Sequence, residues 1–404
     1  MTSPHMPRKA PEHVVDLKVT HLEHGAKADH VTSLLTAGDP LADAVIAELT
    51  LCGPQARQAL DMGVRHGLAS LGPEPPAAIA ALLEQLETAP SPLDPLMLRR
   101  GDAISLSVPP MWFGICSITS ALAHTYASPA VGRLLTRTGR PTDMAARRLA
   151  ETGVWARQTI RPGGLLRGGP GYVAAIEVRL QHARMRARML TDWNMGVAGL
   201  PIGQLDMART WLGFTLNASQ ALNAVGIDIN AEEERHLYQY WSHVAHLLGL
   251  DEGLYRDVVD HVGARRLRDL LDATTPAPDA NSTALTAAMI DAQARAMAGA
   301  PGCDLSEEQL RHLIHSVLQR AFGAEWSDRL DIPDVPAETD LMPLISRLNR
   351  QARYWQTYSA AQVRQAHRRT LEGPGPELRT AAALPCDTSC RRTAGVDRPS
   401  VRAA

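Results

Sequence analysis

Residues 171–190 read GYVAAIEVRLQHARMRARML, directly after Pro170 and a glycine-rich run. Alanine, leucine, methionine, arginine and glutamate dominate the stretch, and all are good helix formers. Proline at the first turn suits a helix start. On a helix, positions three, four and seven apart share a side. His182 therefore lies with Ala175, Val178, Met185 and Met189, while Arg179, Arg184, Arg186 and Arg188 flank the stripe. The spacing predicts a helix over 170–190, and it raises a question: why should an imidazole sit on an apolar stripe between arginines?

Working outward, the helical pattern continues in both directions. Asp39-Pro40 reads as a cap and first turn for LADAVIAEL. Further helices are expected near 54–70, 75–88, 111–126, 141–159, 203–222, 230–248, 252–272, 282–299, 305–322 and 337–371, with Gly or Pro in the breaks. Only AISLSV at 103–108 alternates with period two, and Pro109-Pro110 ends it. Phenylalanine occurs three times in 404 residues and β-branched runs are rare, which also disfavours sheet. The class is all-α. Residues 1–35 read as an N-terminal arm, 36–372 as one helical domain, and 373–404 as a disordered tail rich in Pro, Arg and small residues.

Composition narrows the function. A net charge of −2 gives no general attraction to nucleic acid. Lys9, Lys18 and Lys27 are the only lysines, so nothing beyond residue 27 offers a catalytic amine. The five cysteines are scattered and odd in number, which argues against a disulfide framework and for a reducing compartment. The N-terminus carries no apolar signal core and no span of about 18 apolar residues occurs, so a cytoplasmic protein without a transmembrane segment is expected.

Several local patterns invite a chemical reading and do not complete one. Glu233-x-x-His236 has the helix spacing of a carboxylate-bridged metal pair, yet the second such pair is missing. His243/His246 and His312/His315 each put two imidazoles on one face, two ligands short of a closed zinc site. Cys386/Cys390 have no matching second pair. RPGGLLRGGPGY at 161–172 precedes a helix and could cradle phosphate, but no strand leads into it and the glycine spacing is wrong, so a connector between two long helices is the better reading. His182 likewise carries two readings. It is a buried core histidine, or its ring ligates the iron of a flat apolar macrocycle that Val178 and the methionines admit and whose carboxylate edges an arginine such as Arg179 could meet. With no CxxCH, any haem would be non-covalent.

The stretch 171–190, followed by Trp193, GLPIGQLDMARTWLGFTLNA at 199–218 and GIDINAEEERHLYQYWSHVAHLLGL at 226–250, resembles the rubber oxygenases (latex clearing proteins) and the fungal endoplasmic-reticulum oxygenase of mycophenolic acid biosynthesis. GDPLADAVIAEL at 38–49 is similar to the N-terminal part of the latex clearing branch. The resemblance covers roughly residues 36–260. It implies a globin-like helical core holding non-covalent haem b, with His182 as axial ligand. It also implies a distal helix bearing an arginine, a lysine and a threonine. Arg148 and Thr152 match the first and last, whereas the lysine position reads Glu151.

The reaction so implied is cleavage by O2 of a carbon–carbon double bond in a small apolar, isoprenoid-like substrate. Arg148, Glu151 and Thr152 would act on the distal side, with Glu151 either a base in place of the lysine, or facing solvent or paired with Arg148. Two alternatives stay open: a haem-binding sensor or peroxidase-like protein, and a helical scaffold without cofactor.

Overall fold

The structure, a computed structural model, describes residues 25–88, 94–190, 200–300 and 303–372. Among them all regular structure is helical. The helices are α1 Ala26–Ser33, α2 Pro40–His66, α3 Ala77–Glu87, α4 Pro95–Leu106, α5 Pro110–Tyr126, α6 Pro129–Thr138, α7 Pro141–Thr159 and α8 Pro170–Met189. There follow α9 Gln204–Leu212, α10 Ala218–Ala224, α11 Ala231–Leu247, α12 His261–Thr274, α13 Ala280–Met297, α14 Glu307–Phe322, α15 Met342–Tyr358 and α16 Ala360–Glu372. The all-α expectation holds.

The caps explain why many boundaries were legible. Asp39 accepts from the Ala42 N–H at 3.1 Å, with Pro40 in the first turn. Asn230 and Glu233 form a reciprocal capping box at the start of α11, as Ser306 and Gln309 do on α14. Differences have physical reasons. The helix expected at 54–70 is the second half of α2, which carries Pro54 and turns at Gly53 with φ +61°. AISLSV is the end of α4, not a strand. Asp94 and Pro95 start that helix, and Leu98, Gly101, Asp102, Ile104 and Leu106 are all buried, so burial on several faces hides the helical period. The last part of the segment read as an arm is α1, whose Val31 is fully buried. Trp193 and the 373–404 tail lie outside the described residues.

Two apolar cores form. The larger gathers side chains from α2, α3, α5, α7, α8, α13 and α14. The smaller joins α1, α9 and α12 to Met185 of α8. Helix α8 thus runs between the two, and Gly171, Tyr172, Ala174, Ala175, Ile176 and Arg179 of its first half are buried. No single described helix is long and apolar enough to cross a membrane; α4 with α5 passes that test only as a pair bent by 99°.

Candidate functional site

Two of the four arginines on α8 have partners on the first turns of α2. Arg179 holds Asp39 through two contacts, Nε to Oδ2 at 2.6 Å and Nη2 to Oδ1 at 3.1 Å, and donates to Gln85 Oε1 at 2.7 Å. Both charged side chains are almost fully buried, at 2% and 8% exposure. One turn up α2 and two turns along α8, Arg186 holds Asp43 at 2.8 Å and donates to the Ile202 carbonyl at 2.8 Å. The pairs clamp α8 onto α2. Three of the Arg179 N–H groups are committed to protein partners, so the structure turns this guanidinium toward α2.

The clamp orients the neighbouring face. His182 is partly buried, with its Nδ1 shut off from solvent and without a protein hydrogen bond. Val178, one turn before it, packs on the larger core, whereas Met185 and Met189 pack on the smaller one. His182 therefore stands at the seam between the cores. Burial pulls its pKa down to about 3, with Arg148 and Arg186 adding to the effect and Asp39 opposing it. At neutral pH the ring is uncharged, with a nitrogen lone pair free for a ligand.

Helix α7 closes this face from the side. Arg148 reaches across to the Met185 sulfur at 3.4 Å and pairs with Glu151 at 3.0 Å. Its buried Nε has no partner. The Glu151 carboxylate, 43% exposed, also takes Arg147 at 2.7 Å. Glu151 is thus drawn to the arginines at the rim. Thr152 is half-buried on the next position. The structure brings Arg148, Met185 and His182 together, with Val178 one turn away. It also adds Tyr126 of α5, which the sequence reading did not single out. That phenol is buried, and its oxygen lacks a partner. Burial raises its pKa, with Arg148 lowering it and Glu151 raising it. A lone tyrosine at the end of a buried helix gives no sequence signal of this placement.

The Glu233/His236 and His243/His246 patterns meet protein partners. Glu233 caps its own helix and pairs with Arg353, and His236 meets Arg100 at 2.9 Å. His246 contacts Gln85 at 3.1 Å, and His243 lies 3.4 Å from the Leu165 carbonyl. Burial lowers the pKa of His315 to about 4. Among the described residues no group of three His, Cys, Asp or Glu side chains could hold a metal ion. The glycine-rich run serves close backbone packing. A Cβ on Gly171 would come within 2.6 Å of Thr159 Cα, and the Gly163 N–H is taken by buried Asp102 at 3.0 Å.

The geometry can be set beside known proteins. The solved structure of latex clearing protein LCP in its closed state shares the fold, with a TM-score of 0.61, 20% identity, and coverage of 84% of this chain and 91% of that one. At that identity the likeness speaks for the fold. No curated protein matches the chain. The family model described as ER-bound oxygenase mpaB/B'/Rubber oxygenase, catalytic domain, matches residues 104–347, more than half of the chain and all of α7 and α8. The protein belongs to that oxygenase family.

Proposed function

We propose that this chain is a haem b-dependent oxygenase that uses O2 to cleave a carbon–carbon double bond in an isoprenoid or similarly apolar substrate, acting in the cytoplasm. The observation that carries the reading is His182. A buried ring nitrogen without a protein partner calls for a ligand, and this one is neutral and lies at the seam of two apolar cores. A haem iron would need only one protein imidazole, so the lack of a three-residue metal cluster among the described residues does not oppose it.

A bound haem would supply redox-active iron for dioxygen chemistry. His182 would hold that iron. Val178, Met185 and Met189 would keep water from its face, the methionines adapting to a flat ring. Arg148, with one buried N–H unpartnered, stands beside this face and would bind a polar or anionic oxygen there. Thr152 would line the same side. Arg148→Ala is expected to keep haem and lower turnover by about 100-fold, the scale for loss of one positioned donor. Thr152→Ala should lower turnover less. Oxygen uptake and product analysis with purified, haem-loaded variants checks this, and unchanged rates in both would remove these residues from the site.

One observation favours the reading of a haem protein without oxygenase turnover. Glu151, at the position of the family's lysine, is tied to Arg147 and Arg148 at the rim. Glu151→Lys separates the roles. A lysine there loses both ion pairs and is longer than glutamate. An amine that reaches a bound iron is expected to shift the resting spectrum toward a six-coordinate form. Loss of two exposed ion pairs should cost under about 1 kcal/mol each. A spectrum identical to the parent would leave position 151 at the rim.

A further inference from the structure

An apolar cavity of about 50 Å³ lies where α4, α5, α7, α10 and α11 meet. Ile104, Phe113, Ala156, Phe214, Ala218 and Trp241 form much of its wall, and no charged residue lines it. Two π-helical turns, Phe113–Thr119 and Gly213–Asn217, both contribute wall residues. Such turns are rare and recur at functional sites because the extra residue opens the backbone locally. Phe214 stacks on Trp241 with centroids 5.3 Å apart and meets Trp155 edge-on at 5.2 Å.

The wall is mostly apolar, with Ser105, Ser117, Thr159 and Ser219 as its hydroxyl-bearing residues. Thr159 donates its hydroxyl to the Trp155 carbonyl at 2.9 Å, and Ser219 donates to the Thr215 carbonyl at 2.8 Å. A buried water needs two to four polar partners. The volume is also too small for an organic substrate: an engineered cavity that accepts benzene is about 150 Å³, and drug-sized ligands need several hundred. It suits a small apolar molecule. Its position matters as well. Arg148, Thr152, Ala156 and Thr159 follow one another along one side of α7. At 1.5 Å per residue, Ala156 lies about 12 Å along the axis from Arg148.

We propose that this cavity is a dioxygen pocket that feeds the face of His182 along α7. The proposal rests on the oxygenase reading above, since dioxygen is the small apolar co-substrate that reading requires. Xenon is the probe. Crystals of the haem-loaded protein held under xenon should show a peak between Ala156 and Phe214. Ala156→Leu and Ala218→Leu each fill the space from a different helix, so a folding failure in one leaves the other. Both should lose the xenon peak, and stopped-flow mixing should show dioxygen binding to the ferrous protein several-fold more slowly. Ordered waters in the cavity would overturn the proposal. So would an unchanged oxygen-binding rate in variants that have lost xenon. A protein that takes up no haem would instead sink the proposed function, and with it the pocket's supply role.

Discussion

His182→Ala is expected to give a folded, helical protein that retains no haem. The buried Nδ1 has no protein partner, so its removal breaks no hydrogen bond. The ring is only partly buried, and the clamp of Arg179 and Arg186 on α2 does not involve it. Circular dichroism should therefore match that of the parent, and the unfolding midpoint should fall little. Haem content is a different matter, because one imidazole is the only protein bond to the iron in this account. Pyridine haemochrome analysis of parent and variant, expressed side by side with haem supplementation, reads the result. Full haem content with an unchanged spectrum would make the axial assignment untenable.

The second large effect is at Asp39. Asp39→Ala leaves the Arg179 guanidinium buried without its anion and also removes the cap from α2. Breaking one side of a buried pair costs about 3–5 kcal/mol, because the remaining charge cannot reach water. Asp43→Ala is the control on the same helix. Asp43 is 42% exposed, and Arg186 keeps the Ile202 carbonyl, so the loss should be smaller, about 1.5–3 kcal/mol. Urea unfolding at neutral pH measures both. If the two variants unfold at the same midpoint, the clamp is not anchored at Asp39 as the burial implies.

These pairs also answer the question posed by the arginines around His182. The sequence displays them next to the histidine, but their partners lie 140 and 143 residues earlier. Nothing local to 171–190 points to Asp39 or Asp43. Where the signal is local, the reading is close: α7 and α8 are expected at 141–159 and 170–190 and found at Pro141–Thr159 and Pro170–Met189, because proline marks each start. Where burial surrounds a helix, as on α4, periodicity fails and two prolines after an alternating run suggest a strand. Helix α6 was missed altogether, though Pro129 begins it. For the site, the sequence places His182, Val178 and Met185 on one stripe. It cannot tell that Arg148 reaches Met185, that Glu151 turns to Arg147, or that Tyr126 comes near them. Those placements depend on how α5, α7 and α8 pack.

The central claim is that His182 holds a haem. The measurement is the absorption spectrum of the purified protein expressed with haem supplementation, as isolated and after dithionite reduction in alkaline pyridine. A strong Soret band with a b-type pyridine haemochrome, near one haem per chain, is the predicted result. A colourless protein with its helical fold intact would contradict the account and leave His182 a core histidine in a scaffold without cofactor.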